Sequence, residues 1–280
     1  MEEKKIVILL ATYNGERYLR QQLDSLMRQT YKNWELYIQD DSSTDTTVEI
    51  IKEYQRLYSN IVFLQPSCKL GAKGNFIKML EQVEADYYFF CDQDDVWLED
   101  KVESSLQYMS LLEKMTEYAD KPIVVHTDLK VVDSELNTIA PSFWVYSHVN
   151  PVKLSVFSKL ATRNVVTGCT MLFNKSAREQ SLPVPEEACM HDLWVTLSVM
   201  KVGGVLKYIE SPKVLYRQHR GNVVGIRNAG GLNLIGKKLF HLKSLWNTNV
   251  ANYRMLRCLN YGSWMKYIYY KIITLCESRL

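Results

Sequence analysis

Short apolar runs alternate with amphipathic segments along the first half of this 280-residue chain. The first run, Ile6–Leu10, is continuous and rich in β-branched residues, which is typical of a strand buried on both faces. We predict strands at five such runs: Ile6–Leu10, Trp34–Gln39, Ile61–Leu64, Tyr87–Cys91 and Ile123–His126. Hydrophobic residues at helical spacing predict helices between them, over residues 15–29, 45–58, 75–83 and 100–118. This alternation predicts an α/β fold built on a doubly wound, mostly parallel sheet.

The second half of the chain is less regular. It predicts a strand at Gly168–Phe173, a helix at Met190–Lys201, and short strands at Val205–Ile209 and Lys213–Tyr216. Repeated glycines predict a loop over Gly221–Gly231. We therefore expect one domain over residues 1–225, followed by a helical tail over residues 226–280.

Three carboxylates, Asp92, Asp94 and Asp95, follow the apolar run Tyr87–Cys91 directly. Like charges this close raise one another's pKa unless a cation lies between them. Mg²⁺ and Mn²⁺ prefer oxygen ligands and usually share them with phosphates. Ligands of open α/β sheets bind at the carboxyl ends of the strands. The cluster therefore predicts a metal and diphosphate site at this edge of the sheet.

Polar residues also follow the first two predicted strands, at Thr12–Asn14 and Asp40–Asp45. Their hydroxyl, amide and carboxylate groups suit a base or a ribose. The alternative is helix capping, which accounts for one or two residues but hardly for both Asp40 and Asp41. A third loop, Lys69–Asn75, has two glycines and lysines that suit a ribose or phosphate close to the backbone.

The overall charge of the chain is small but unevenly distributed. A net charge of +3 gives no indication of nucleic-acid binding, and from residue 231 onward eight Lys and Arg residues accompany one acid, Glu277. No apolar run approaches the ~20 residues of a membrane-spanning helix. Six cysteines without a CxxC pair indicate reduced thiols. We expect a cytoplasmic protein, or one bound peripherally to the inner face of the cell membrane.

Taken together, these segments resemble the inverting glycosyltransferase family 2, whose members have the GT-A fold. The resemblance rests on five motifs in one order: Leu10–Gly15, Asp40–Asp45, Leu70–Asn75, Asp92–Asp95 and His191–Trp194. It implies a single Rossmann-like, doubly wound mixed sheet with a C-terminal helical extension. It also implies a nucleotide-binding half over about residues 1–127 and an acceptor-binding half over about residues 128–225.

Two details of the chain are similar to a narrower, rhamnosyltransferase-like branch of the family. They are Asp92–Trp97 and Tyr216–His219, the latter before a Gly-Asn-Val-Val stretch. The resemblance implies transfer of L-rhamnose from dTDP-rhamnose to a saccharide or lipid-linked saccharide in bacterial surface polysaccharide synthesis. A UDP-hexose donor is the alternative.

The resemblance also implies a role for each matching residue. Asp192 is the implied catalytic base, and Asp94 with His219 would hold Mg²⁺ or Mn²⁺. The implied nucleotide-binding residues are Thr12, Tyr13, Asn14, Asp41, Lys73, Asn75, Asp92 and Gln93. The implied donor or acceptor contacts are Asp95, Trp97, His191, Trp194 and Arg217.

Four of these residues have a structural alternative. Asp95 suits holding the loop as well as a contact with the donor sugar. Asp192 precedes an apolar helical stripe and suits a helix N-cap as well as a base. His191 suits a supporting position better than a substrate contact. Arg217 suits a structural carboxylate as well as a donor phosphate.

Departures from the family narrow the prediction. Ser42-Ser43 stands where the family often has Gly-Ser, which costs little unless the position needs a positive φ. The processive Gln-x-x-Arg-Trp motif is absent from the sequence, so we expect transfer of one or a few residues per acceptor. A sugar nucleotidyltransferase is a rival, but the loop after the first strand lacks the Gly-rich basic sequence that such an enzyme needs. A non-catalytic scaffold is the second rival.

The tail admits two interpretations. Aromatic residues alternate with Lys and Arg over residues 246–271, which is typical of an amphipathic helix at a membrane surface. The alternative is a helical pair packed on the body or in a homodimer. We favour association with a membrane or a partner, and expect no nucleic acid among the partners.

Overall fold

The computed structural model describes residues 4–65, 68–219 and 235–277, and only the backbone of residues 235–244. Its strands are β1 (Ile6–Thr12), β2 (Glu35–Asp40), β3 (Ile61–Leu64), β4 (Tyr87–Asp92), β5 (Val96–Trp97), β6 (Ile123–Thr127), β7 (Lys130–Val132), β8 (Thr138–Ala140), β9 (Leu172–Asn174), β10 (Val205–Ile209) and β11 (Val214–Arg217). Its α-helices are α1 (Leu19–Met27), α2 (Thr47–Leu57), α3 (Gly71–Gln82), α4 (Lys101–Glu113), α5 (Phe143–Tyr146), α6 (Pro151–Leu154), α7 (Phe157–Leu160), α8 (Lys175–Ser181), α9 (His191–Lys201), α10 (Ile235–Cys258) and α11 (Trp264–Glu277).

The main sheet has seven strands in the order β10-β6-β9-β4-β1-β2-β3. Neighbouring strands of this sheet run parallel, except that β9 is antiparallel to both β4 and β6. Alternate residues of β1 enter two cores, with Val7 and Leu9 on one face and Ile8 and Leu10 on the other. Helices α1, α2 and α4 cover one face, and α3, α8 and α9 cover the other. The predicted doubly wound, mostly parallel sheet is therefore confirmed.

A second sheet, which the sequence does not predict, has four strands in the order β5-β11-β7-β8. The predicted strand after Lys213 is found as β11, but it belongs to this second sheet. Strand β11 runs antiparallel to β5, with Val214 opposite Trp97 and Leu215 opposite Val96. Residues just after β11 therefore lie against residues just before β5, and this pairing builds part of the site.

Most predicted boundaries differ from the observed ones by a few residues, and two predicted segments also contain a 3₁₀ turn. The segment from Gly168 begins with a 3₁₀ turn at Gly168–Thr170, and the strand itself is Leu172–Asn174. Helix α4 ends at Glu113 and is followed by a separate 3₁₀ turn at Thr116–Tyr118.

The predicted C-terminal helices are present as α10 and α11, and they pack on the body. Met255, Leu256, Tyr261 and Tyr267 are buried in the same core as α9. Among the described residues, no helix is long and apolar enough to cross a membrane. The predicted loop Gly221–Gly231 and the side chains of Lys237, Lys238 and Lys243 lie outside what the structure describes.

Candidate active site

A cavity of about 1550 Å³ opens at the carboxyl ends of β1 and β4. The strand registers explain which residues meet there, because Thr12 lies opposite Asp40 and Ala11 lies opposite Asp92. Pockets for one small molecule usually have about 300–1,000 Å³. The volume of this cavity therefore suits two substrates side by side.

The loop after β1 is held by side chains from two other strand ends. Gln93 grips the backbone of Tyr13, accepting from its N–H and donating to its carbonyl oxygen, both at 2.9 Å. Asn14 has φ +45°; its N–H donates to Ser43 Oγ at 2.8 Å, and its Oδ1 accepts from Thr44 N–H at 2.9 Å. Asn14 therefore ties two loops together and is not the N-cap of α1.

The hydrogen bonds of Gln93 to Tyr13 also explain why residue 15 is a glycine. A Cβ at Gly15 would lie 2.2 Å from Gln93 Oε1, so a larger residue there would displace the amide from Tyr13. The loop after β1 and the acidic cluster are thus held in one fixed arrangement.

Asp40 and Asp41 both have structural partners, but only Asp41 binds the end of a helix, which agrees with the expectation that capping hardly explains both. Asp40 accepts from Thr12 Oγ1 at 2.8 Å and from Ser43 N–H at 2.7 Å. The Asp41 carboxylate, which follows β2, contacts the start of α3, where it accepts from Leu70 N–H at 2.6 Å and from Gly71 N–H at 3.0 Å. Asp41 also lines the cavity. Its predicted contact with a nucleoside stays a prediction.

Ser42 adopts φ +65°, so this position does need a left-handed backbone. We expect Ser42→Gly to raise the free energy of unfolding by about 0.5–1 kcal/mol, because glycine avoids the Cβ clash that a left-handed serine suffers. The matched control is Ser59→Gly, since Ser59 is also exposed but has an ordinary φ. Thermal melting measures both variants, and a stabilised control or a destabilised Ser42→Gly would contradict the account.

The acidic cluster has two half-buried members that line the cavity, Asp92 and Asp94, and one fully buried member, Asp95. Asp94 and His219 lie on the cavity wall, with Asp94 Oδ2 and His219 Nε2 2.8 Å apart. The antiparallel pairing of β11 with β5 brings them together. Ligand atoms of Asp92, Asp95 and Cys169 lie within 4.8 Å of one another.

The carboxyl groups of Asp92 and Asp95 ionise less readily than ordinary carboxyl groups. Burial, then repulsion from Asp94 and Asp192, raises the pKa of Asp92 to about 7. Burial likewise raises the pKa of Asp95 well above its ordinary value. A bound divalent cation would reverse this penalty by favouring the ionised forms. The cluster therefore has the electrostatic character of a cation site, and Asp94 with His219 offers it ligands from the cavity side.

Asp192 lies in the first turn of α9 and lines the same cavity as Asp92 and Asp94. The N-cap of α9 is Met190, so the capping alternative for Asp192 is wrong. Leu193 N–H donates to Asp192 Oδ1 at 2.7 Å. Burial raises the pKa of Asp192 to about 6, although hydrogen bonds from Leu193, Gly168 and Asn164 lower it. A carboxylate in this environment is ionised at neutral pH and is basic enough to accept a proton.

His191 supports this wall of the cavity. Its ring stacks on Phe76 at 4.0 Å between centroids and meets Phe90 edge-on at 4.7 Å. Burial lowers the pKa of His191 to about 3, so the ring is neutral at physiological pH. Gly168 fits against it, because a Cβ there would lie 3.0 Å from His191 Nε2.

The structure corrects the predicted substrate contacts of two tryptophans. Trp97 is 2% exposed, and its indole packs under Lys101 Nζ at 3.8 Å from the ring centroid. Trp194 is buried in the core beside α8, and its Nε1–H donates to Ser181 O at 2.7 Å. Neither indole faces the cavity, because each is used for packing.

Three charged residues predicted to touch ligands form hydrogen bonds within the protein. The Arg217 guanidinium is buried and donates to Asp94 O at 2.8 Å and Gln21 Oε1 at 2.6 Å. Asp95 is also buried and accepts from Arg217 N–H at 3.1 Å. Lys73 Nζ donates to Ala188 O at 2.8 Å. Asp95 and Arg217 are buried and therefore take structural roles in place of ligand contacts, whereas the nucleotide contact of the half-buried Lys73 stays a prediction.

Asn75 both lines the cavity and forms hydrogen bonds within the protein. It contributes to the cavity wall, but its side chain is fully buried and its Oδ1 accepts from Gln39 Nε2 at 2.6 Å. Its Nδ2 donates to Gly71 O at 3.2 Å. A supporting position below the ligand fits this burial, and its predicted nucleotide contact stays a prediction.

One stretch of the cavity wall was not predicted from the sequence. This part of the wall is formed by Phe143, Tyr146, Ser147, His148 and residues 164–168. These residues lie in the stretch with few clear hydrophobic periods. The aromatic run Phe143–Tyr146 was the available signal, since aromatic residues in a connecting segment often serve binding.

The fold is shared with solved glycosyltransferases. Over 78% of this chain and 60% of the other, it matches S. aureus TarS 1-349, solved in complex with UDP-GlcNAc, at a TM-score of 0.58 and 17% identity. Over 79% of this chain and 59% of the other, it matches the mannosyltransferase PcManGT from Pyrobaculum calidifontis, solved with GDP-Man and Mn²⁺, at a TM-score of 0.56 and 15% identity. The predicted GT-A fold is therefore confirmed.

The sequence places the chain within a family of that fold. Residues 7–180 match the family described as Glycosyl transferase family 2. This match covers more than half of the chain, so the protein belongs to glycosyltransferase family 2 and is a glycosyltransferase. The scaffold and nucleotidyltransferase rivals are thereby set aside.

Similar proteins include several bacterial enzymes. The dTDP-rhamnosyl transferase RfbG of Shigella flexneri is 29% identical over 77% of this chain and 73% of its own length. The putative teichuronic acid biosynthesis glycosyltransferase TuaG of Bacillus subtilis (strain 168) is 26% identical over 71% of this chain and 73% of its own length.

Proposed function

We propose that this protein is a metal-dependent inverting glycosyltransferase of bacterial surface polysaccharide synthesis. It transfers L-rhamnose from dTDP-rhamnose to a hydroxyl of a saccharide or lipid-linked saccharide. The observation that carries the chemistry is that one cavity contains both the carboxylates Asp92 and Asp94 and the separate carboxylate Asp192. Similarity to a dTDP-rhamnosyl transferase at 29% identity supports the choice of sugar.

The donor nucleoside occupies the side of the cavity formed by the strand ends. Thr12, Tyr13 and Asn14 form the loop that receives the base, and Gln93 holds that loop through the backbone of Tyr13. Asp92 lies next to this loop and accepts from the ribose hydroxyls once it is ionised. Donor binding thus depends on a loop whose shape is set before the ligand arrives, which reduces the entropy cost of binding.

Mg²⁺ or Mn²⁺ fits the group formed by Asp94 and His219, because a carboxylate oxygen and an imidazole nitrogen meet there at 2.8 Å beside unfavourably crowded acids. When bound, such an ion stabilises the negative charge that grows on the leaving diphosphate. Asp94 and His219 are the residues that would hold it.

Asp192 acts as the general base. It accepts the proton of the acceptor hydroxyl as the oxygen attacks the anomeric carbon and the bond to the diphosphate breaks. A single displacement of this kind inverts the anomeric centre and needs no covalent intermediate. The aromatic wall containing Phe143 and Tyr146 lies on the other side of the cavity and receives the acceptor.

A UDP-hexose donor is the second candidate for the same chemistry. It is favoured by a relative from Escherichia coli, named UDP-Glc:alpha-D-GlcNAc-diphosphoundecaprenol beta-1,3-glucosyltransferase WfaP, which is 25% identical over 84% of this chain and 88% of its own length. We further propose that residues 1–225 form the catalytic domain of a cytoplasmic enzyme, and that residues 226–280 attach to it.

The test is thermal unfolding with dTDP, UDP, GDP and CDP, each with and without Mn²⁺. A ligand at a concentration ~100 times its dissociation constant raises the free energy of unfolding of the protein by about 2.7 kcal/mol. We expect the largest metal-dependent shift with dTDP, and conversion of dTDP-rhamnose in the presence of an acceptor. A larger thermal shift with UDP than with dTDP would favour the UDP-hexose donor over dTDP-rhamnose. No shift with any nucleotide would contradict both.

A further inference from the structure

Exposed hydrophobic side chains concentrate in two segments of the described chain. Residues 145–156 carry Val145, Val152 and Val156, and α11 carries Met265, Tyr269 and Ile272, all more than half exposed. The three residues of α11 are spaced as i, i+4 and i+7, so they form one stripe along the helix. Tyr267 and Thr274 of the same helix are buried against the body. The outward stripe is therefore not needed for packing α11.

The two segments are linked through α7, which directly follows residues 145–156 and contacts α11. Lys159 Nζ lies 2.6 Å from Glu277 Oε1, and the hydroxyls of Thr162 and Thr274 lie 3.2 Å apart. Tyr261, just before α11, donates its hydroxyl to Ser158 O at 2.7 Å. We call this surface, formed by residues 145–156 and the stripe of α11, the apolar face.

The two stretches of sequence that carry the apolar face have a positive net charge. The sequence has no Asp or Glu between Glu135 and Glu179, or between Glu210 and Glu277. Arg254 and Arg257 of α10 and Lys266 of α11 are exposed, whereas Glu277 is paired with Lys159. Two copies of this chain would bring like charges together, so the charge favours an anionic partner over a second copy.

The apolar face also reaches the mouth of the cavity. Residues 149–163 connect two stretches that line the cavity, at Phe143–His148 and Asn164–Gly168. Arg163 fixes this connection by donating to Ser147 O at 2.8 Å and His148 O at 3.0 Å. A surface bound to the apolar face would therefore lie beside the acceptor side of the site.

We propose that the apolar face binds the surface of an anionic lipid bilayer. Hydrophobic and aromatic side chains enter the interface, while the surrounding Lys and Arg attract anionic headgroups. The consequence that a lipid-linked acceptor enters the cavity directly from the bilayer rests on the proposed function. Binding to lipid does not depend on it.

The test is flotation of the full chain with two kinds of vesicle, phosphatidylcholine alone and phosphatidylcholine mixed with phosphatidylglycerol. We expect binding to the anionic vesicles, weakening as salt is raised. The double variant Met265→Asp and Ile272→Asp should bind at least roughly tenfold more weakly, and Val152→Asp should also weaken binding. The matched control is Leu57→Asp, since Leu57 is 67% exposed on α2, outside the apolar face.

The outcomes separate the inference from the proposed function. Equal binding of wild type to both vesicles, or an equal loss in the Leu57→Asp control, overturns the inference. A dimer in sedimentation velocity that is broken by Ile272→Asp would instead assign the face to a second copy. All variants should keep the thermal shift with dTDP. If vesicle binding is lost while the thermal shift with dTDP remains, only the membrane inference fails. If vesicle binding remains while dTDP gives no thermal shift, only the proposed function fails.

Discussion

Replacing Asp192 by Asn is expected to lower the rate of sugar transfer by roughly a hundredfold to ten-thousandfold, the usual contribution of a general base. Asn cannot accept the acceptor proton, but its side-chain oxygen can still accept from Leu193 N–H as Asp192 does at 2.7 Å. Folding and donor binding should therefore remain. Initial rates with dTDP-rhamnose and a thermal shift with dTDP measure the two effects. The matched control is Glu84→Gln, an exposed carboxylate outside the cavity.

The pH dependence gives an independent check on Asp192. Burial raises its pKa to about 6, and only the ionised form accepts a proton. The rate should therefore rise with pH, reach half its maximum near pH 6 and level off about one pH unit higher. At saturating metal the half-maximal pH should fall at or below that value, since a nearby cation favours the ionised carboxylate. Unchanged rates in Asp192→Asn, or an unchanged pH profile in its residual activity, would exclude it as the base.

Replacing Asp94 by Ala is expected to lower transfer at least about a hundredfold, a loss typical of removing one electrostatic contact to the transition state. It should also abolish the part of the nucleotide-induced thermal shift that depends on Mn²⁺. The metal-independent part should remain, because Gln93 still holds the backbone of Tyr13 at 2.9 Å. Glu84→Ala serves as the control for loss of a carboxylate.

His219 offers a second arm of the same experiment. Asp94 Oδ2 and His219 Nε2 are 2.8 Å apart, so His219→Ala should weaken the metal-dependent shift if the two residues hold the ion together. If Asp94→Ala keeps the full metal-dependent thermal shift, residues other than Asp94 bind the ion. A shift that persists in His219→Ala but not in Asp94→Ala would leave Asp94 as the ligand and His219 as its support.

Local patterns in the chain were sufficient for the main sheet. A buried parallel strand must be apolar on both faces, and the runs at β1 and β4 are continuous for that reason. The placement of Asp92 and Asp94 at a strand end followed from the same pattern. The four-stranded sheet was not predicted, because β5 has only two residues and its partner β11 lies more than a hundred positions later.

The candidate site was predicted more accurately in its position than in its individual contacts. Loops after buried strands were expected to meet at one edge, and they do. Trp97 and Arg217 were assigned to ligands because their residue types suit sugars and phosphates. Both are buried, where Trp97 fills the core and Arg217 satisfies the carbonyl of Asp94. A motif shows that a residue type is present, but it does not show which side of the backbone the side chain takes.

By itself, the sequence determined the α/β class and the crowding of acids after β4, because both depend on the order of residues along one segment. Only the tertiary structure decided that His219 meets Asp94 and that Asp192 shares their cavity. It also decided that α11 buries Tyr267 while exposing Ile272. These contacts join residues far apart in the chain, and they follow from strand pairing and helix packing, which no local pattern specifies.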